Sequence, residues 1–442
     1  MSTSAPVPAA HEEPAGLGGR AYLRLVGLGA LIGVPAALVA AVFLAFVHLL
    51  ETWLWTDLPD HLGASEPPWY LLLGLPVVGA VIVLLARRLL PGDGGHSPLK
   101  GISAAPTPWQ YGPGVALAAV GTLGFGAVLG PEAPLIALGS VVGSLLTVFV
   151  KVEPRATAVL TTAGSFSAVS ALFGGPLVAG MLLVEAGIGM GAALIPVLLP
   201  GLVAAAVGYV LFLGFGSWGG LNHTALTVPD LPPYQHTRGA DLLVALGIGI
   251  VTAIVLAAVR RIGTAVDVVA SKPGRMVPVL LVAGLAVGVL ALSARGLGAD
   301  SQDVLFSGQS SIPGLVDQTS VRIVLILLVA KGLGYAICLG SGFRGGPVFP
   351  AIFTGVAVAS VAEIWFGTSP TLAVAVGAAA GMTSMTRLVF ASLLLAMLLV
   401  GTNGVDTISA AVMGTAAAWI TTKALDQRAQ AAHPAPAAPA AP

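Results

Sequence analysis

The sequence predicts an all-α, polytopic membrane protein made of two inverted-topology repeats whose broken helices meet at a buried site near the membrane midplane. Three observations carry this reading. Residues are 56% apolar and only 9% charged, with a mean hydropathy of +0.96, values foreign to a soluble globular domain. Apolar segments of spanning length recur along the chain. A glycine and proline cluster also stands in corresponding places of two related halves.

Taken in order, residues 1–20 hold Glu12 and Glu13 among Ala and Pro. They do not resemble a cleavable signal peptide, and a cytoplasmic tail is expected. Arg20 and Arg24 border the first apolar run, 24–47, and further runs cover 69–86, 242–259 and 277–292. Lys and Arg mark the cytoplasmic side, which assigns Arg87 and Arg88, Lys151 and Arg155, and Arg260 and Arg261 with Lys272 and Arg275 to inner loops. The segment from Glu51 to Glu66 has four acidic residues and no Lys or Arg, as an outer loop would, and offers Trp53 and Trp55 to the membrane interface. Beyond Lys423 an Ala/Pro-rich tail, residues 425–442, is expected to be disordered.

Net formal charge is zero and no long basic run exists, so nothing points to nucleic acid as a partner. Cys338 is the single cysteine and lies in an apolar segment, which removes a disulfide framework or cysteine metal site. No metal or other cofactor is expected.

Three collinear echoes indicate the duplication. GFGAVLG at 124–130 resembles GYAICLG at 334–340, PLIALG at 134–139 resembles PAIFTG at 350–355, and the run beginning at Ala163 has a counterpart beginning at Ala379. Both halves carry a helix breaker: Gly130, Pro131 and Pro134 in one, Gly340 to Pro350 in the other. In lipid a broken helix survives only where its freed backbone groups are buried in protein or face a water-filled cavity, so paired breaks mark a substrate site. Proline favours the first turn of a helix. LGPEAP and GGPVFP therefore read as helix starts whose free N–H groups and dipole attract negative charge. A site for an anion follows.

Glu132 sits in the first of these starts, where an ionised carboxylate in an apolar stretch costs about 2.5–3.5 kcal/mol on insertion scales. It can occupy the anion's place by accepting the same N–H bonds, and it leaves when protonated or displaced. That makes it a gate and a candidate proton carrier.

Here the residues carry a family resemblance. GTLGFGAVLGPEAPLIALG, then SAVSALFGGPLVAGMLLVE, then KGLGYAICLGSGFRGGPVFPAIFTG resemble the CLC family of chloride channels and chloride/proton antiporters, over roughly residues 21–424. The resemblance implies a transmembrane domain over 21–424 with halves of about 21–218 and 240–424, in the cell membrane. It also implies a homodimer with one anion pathway per subunit and Glu132 as the external gating glutamate. The dimer contact would lie on residues 176–186, 192–213, 388–400 and 406–422. The anion would be held by Gly130, Pro131 and Ala133 from the first break, Gly345, Gly346, Val348 and Phe349 from the second, and Gly95 and Ser97 from a filter loop.

Several positions depart from the family pattern. The filter motif G-S-G-I-P becomes Gly94, Gly95, His96, Ser97 and Pro98, with Gly95 where the anion-binding serine would stand. In G-R-E-G-P, Pro131 and Ala133 replace the arginine and second glycine. In G-x-F-x-P the cluster reads Gly346, Pro347, Val348, Phe349 and Pro350, and Pro347 removes one N–H. The family's late tyrosine has no counterpart, since the last tyrosine is Tyr335. Ala186 stands where antiporters carry an internal glutamate, leaving Glu185 as a candidate for the proton path.

The expected activity is therefore transport of chloride or a similar small anion, channel-like or loosely coupled to protons. A stoichiometric chloride/proton antiporter and a fluoride-selective relative stay open. An enzyme is not expected: of seven histidines only His48 lies in a long apolar span, and no H-E-x-x-H motif exists. A cation-coupled carrier would want more intramembrane carboxylates than Glu132.

Overall fold

The structure is a computed structural model that describes residues 19–103, 105–150, 153–187, 194–219 and 226–432. Lys151, residues 1–18 and residues 433–442 fall outside the described residues, with the expectations that rested on them. In the first half α1 (Gly19–Thr52) runs through a π-helical turn, Trp53–Asp57, into the short α2 (Leu58–His61). Then come α3 (Trp69–Leu89), α4 (Gly112–Leu123), α5 (Glu132–Phe149), α6 (Pro154–Leu172), α7 (Pro176–Ala186) and α8 (Ile195–Gly219). The second half has α9 (Gly239–Ala270), α10 (Met276–Gly296), the short α11 (Ile312–Val316) and α12 (Val321–Ser341). It closes with α13 (Val348–Phe366), α14 (Pro370–Thr386), α15 (Phe390–Val400) and α16 (Ile408–Ala432). Among the described residues nine helical stretches are long and apolar enough to cross a membrane.

The same packing scheme occurs twice. In the first half α5 lies along α6, α6 along α8, and α1 along α8; in the second α13 lies along α14, α14 along α16, and α9 along α16. Small residues allow these contacts. A Cβ on Gly139 would strike the Gly164 carbonyl between α5 and α6, as one on Gly355 would strike the Gly377 carbonyl between α13 and α14. Helices without a side chain at the crossing approach backbone to backbone, the packing that replaces a hydrophobic driving force in lipid. The equivalents α1 and α9 cross in opposite senses by the positive-inside rule, because α1 carries Arg20 and Arg24 in its first turns while α9 carries Arg260 and Arg261 in its C-terminal third and is followed by Lys272. Both breaks are present, at 124–131 between α4 and α5 and at 342–347 between α12 and α13. Gly342 ends α12 with φ 107°, a left-handed backbone that favours glycine.

Three expectations need correction. The echo of 124–130 in 334–340 is not structural, because the first segment forms a break while the second lies inside α12. Gly130 instead pairs with Gly346, in register with the other two echoes, whose residues stand 216 apart (Pro134 and Pro350, Ala163 and Ala379). Trp53 is exposed as expected, but Trp55 is only 2% exposed; the widened π turn faces it inward, where Nε1–H donates to the Gly124 carbonyl at 3.0 Å and its edge meets Phe306. Finally, α16 continues to Ala432, past the boundary expected at 424. Asp426 anchors this extension by accepting from Arg260 of α9 and from Arg387 at 2.5 Å.

Candidate functional site

Each break ends at a glycine that needs a partner for its backbone, and each finds the other. Gly130 N–H donates to the Gly346 carbonyl at 2.8 Å, and Gly346 N–H returns a bond to Gly130 at 2.6 Å. This two-bond bridge brings the starts of α5 and α13 together across the two halves. Pro131 and Pro347 occupy the N-cap positions of the two helices with helical dihedrals, so the first free N–H of α13 belongs to Val348.

Glu132 is fully buried here. Its Oε1 accepts from the Val348 N–H, and the Phe349 N–H also points at the carboxylate. The carboxylate of the first break thus sits on the donors at the start of the second helix. Its Oε2 has no hydrogen-bond partner among the described residues. A Cβ on Gly346 or Gly130 would run into this carboxylate, so both glycines are needed for it to seat. The arrangement is a buried carboxylate held on a backbone N–H at the start of α13, with its second oxygen still without a partner.

Of the expected site residues, the structure gathers Gly130, Pro131, Gly346, Val348 and Phe349 around Glu132. Gly345 is adjacent, its Cα facing Leu129 and the Gly130 carbonyl, while Ala133 follows Glu132 in the first turn of α5. Gly95 and Ser97 are not in this set. They lie in the loop after α3, where Gly95 has φ 102° and faces Val115, and Ser97 precedes a 3-10 turn. That loop meets the second break at Arg344, beside Gly94, and through Asp93, which accepts from Arg344 and, at 2.8 Å, from Arg87. Glu185 is an N-terminal cap: its two oxygens accept from Val389, Phe390 and Ala391 N–H groups at 3.1, 2.9 and 2.7 Å, fixing the start of α15.

Sequence reasoning missed three groups. Tyr335 is fully buried and its hydroxyl donates to the Pro347 carbonyl at 2.7 Å, bracing the N-cap of α13 beside Glu132. Lys331, one turn earlier on α12, donates to the Asp303 and Leu305 carbonyls at 2.9 and 2.6 Å and lies over the Phe353 ring. Arg344 is buried in the second break. A lysine and an arginine between apolar runs were visible signals; their burial was not.

On the side of Trp55 and the loop after α10, a cavity of about 900 Å³ descends to Leu129 and Pro131, next to Glu132. His48 and Glu51 from α1, with Asp300 and Asp303 from that loop, face it. Burial raises the Asp303 carboxyl above its usual range, helped by Asp300 and opposed by a hydrogen bond from Ser311 and by Lys331. Among the described residues no group of three or more His, Cys, Asp or Glu side chains is placed to hold a metal ion.

Residues 78–423 match the family described as "Voltage gated chloride channel". The chain is 29% identical over 347 residues to a protein of Escherichia fergusonii named for ion transport, YfeO, covering 74% of this chain and 76% of the relative. Among solved structures it resembles a slow cyanobacterial Cl⁻/H⁺ antiporter (TM-score 0.74, 17% identity, 91% of this chain and 95% of the other). It also resembles a CLC-type fluoride/proton antiporter (TM-score 0.72, 20% identity, 93% and 98%).

Proposed function

The chain belongs to the voltage gated chloride channel family, and from that premise we propose that it carries chloride or a similar small anion through a pathway gated by Glu132. As a member it is a multi-pass protein of the cell membrane that moves ions. The observation that supports the gate most is the Glu132 carboxylate seated on the Val348 N–H at the start of α13. An anion arriving from either side competes for the same donors. Protonation removes the negative charge that holds the side chain there, so either event frees the path.

Flow is channel-like or loosely coupled in this reading. Ala186 follows Glu185, and Glu185 itself is occupied by three backbone N–H groups, which leaves α7 without a free inner carboxylate. A second reading, stoichiometric exchange of an anion for protons, draws support from the two antiporters of similar fold. Subunits pair as homodimers through α7, α8, α15 and α16, where Leu177, Val210, Phe390, Val412 and Ile420 stand exposed on single-chain surfaces.

The deciding experiment loads liposomes containing the purified protein with sodium chloride and follows each ion separately. Chloride efflux without sodium efflux is the expected result. Sodium movement, or none of either, overturns the proposal.

A further inference from the structure

Among the described residues, three Asp, Glu, Lys or Arg side chains are buried: Glu132, Lys331 and Arg344. Lys331 has two carbonyl acceptors and an aromatic face, so its ammonium is satisfied locally. Arg344 is different. It lies in the second break, two residues before Gly346, and its backbone N–H donates to Thr122 Oγ1 at 3.1 Å. Its Nε–H donates to the Asp93 carbonyl at 2.9 Å and its Nη2 to the Asp93 carboxylate. The same carboxylate accepts from Arg87 through Nε at 2.8 Å and Nη2 at 3.1 Å, while Arg87 Nη1 donates to the Gly342 carbonyl at 3.0 Å. Two guanidinium groups therefore share one carboxylate.

The other charged groups facing this spot are Lys100 and His96 from the loop and Asp267 from α9. With His96 neutral, three cations meet two carboxylates, and one positive charge is left over. The side-chain exposures sharpen the imbalance: Asp93 is 58% exposed and screened by water, whereas Arg344 is 7% exposed and is not. Burial, then the nearby Arg344 and Lys100, hold His96 below the usual histidine range. An intramembrane cation without a full counter-charge is costly and marks an ion path. Because α3 ends at Arg87 and Arg88, the positive-inside rule puts this cluster on the cytoplasmic side of the gate.

We propose that Arg344 is an anion-attracting residue on the cytoplasmic approach to the site, its guanidinium oriented by Asp93 and supplying the uncompensated charge that draws anions toward the paired breaks. The inference rests on the anion-transport reading above. It separates Arg344 from a mere strut, because a strut and a charge respond oppositely to loss of Asp93. Arg344→Gln removes the charge, while Asp93→Asn breaks the same contact but leaves both guanidinium groups and makes the cluster more positive.

The test measures half-saturating chloride separately on each face of liposomes containing the full chain. Arg344→Gln should raise the cytoplasmic value about tenfold with little change outside, and Arg344→Lys should restore most of it. Asp93→Asn should lower the cytoplasmic value. Arg344→Gln is expected to fold, since Asp93 keeps Arg87; if it does not, the sign of the Asp93→Asn effect decides alone. Weaker chloride affinity in both variants, or equal change on both faces, overturns the proposal. Titration calorimetry with chloride on the solubilised protein keeps the two readings apart. Binding that Arg344→Gln weakens, in a protein with no chloride flux, sinks the transport reading and keeps this one. No chloride binding in the unmodified protein sinks both.

Discussion

Gly346→Ala puts the seating of the gate to a steric test. The three nearest heavy atoms to a Cβ on Gly346 all belong to the Glu132 side chain, closer than any real contact allows. Gly346 does not use a left-handed backbone, so alanine brings no conformational strain of its own. The methyl group should therefore expel the carboxylate and leave the Gly130–Gly346 bridge in place. What is lost is the charge-assisted bond from Val348 N–H, worth about 1.5–3 kcal/mol, or roughly a ten- to hundredfold shift toward the unseated gate. Chloride efflux from liposomes across a pH series reads this directly. The variant should pass chloride with little dependence on pH, and adding Glu132→Ala to it should change nothing further. Normal pH dependence in the folded variant, or a loss of flux that Glu132→Ala does not relieve, would refute the reasoning.

Three further outcomes are expected. Glu185→Ala should lower thermal stability by about 1–2 kcal/mol through loss of the α15 cap, with the pH profile of chloride flux unchanged; an altered profile with unchanged melting would place Glu185 in the proton path instead. Val412→Trp, on the exposed face of α16, should shift detergent-solubilised protein from dimer toward monomer while each subunit still conducts, and monomeric unmodified protein in mild detergent would count against the assigned surface. Under a chloride gradient with voltage clamped by a potassium ionophore, protons should not be driven uphill at a fixed ratio; a stoichiometric proton flux that disappears in Glu132→Ala would establish an antiporter.

Much of the architecture was legible because lipid imposes simple rules. Apolar runs of spanning length read as helices, and the glycine and proline clusters at Gly130–Pro131 and Gly345–Pro347 read as breaks between them, so both interruptions were visible in the sequence. Glu132 was legible for the same reason, as a carboxylate that packing does not explain. What remained hidden depends on contacts distant in sequence. Val348 N–H meets Glu132 across 216 residues, and nothing local indicates that the carboxylate of one half sits on the helix of the other. The misplaced echo at 334–340 arose because Ala/Gly/Leu-rich helices resemble one another, whereas hydrogen bonding fixes Gly346 as the true counterpart of Gly130. Trp55 read as an interface residue by composition, but its N–H found Gly124 inside the protein. Glu185 read as a candidate for the proton path, and its bonds to the start of α15 were hidden, since that start lies against the end of α7 only in the folded chain.

The central claim is that the Glu132 carboxylate closes an anion pathway by taking the anion's donors, and its most direct test compares chloride efflux in the unmodified protein and Glu132→Gln as pH is lowered. The neutral amide cannot hold the seat as a carboxylate does, nor does it titrate. Flux through the unmodified protein should rise with acidification, because protonation discharges the gate, while Glu132→Gln should conduct at every pH with no such rise. Parallel pH curves for the two proteins, or loss of chloride flux in a well-folded Glu132→Gln, would contradict the account.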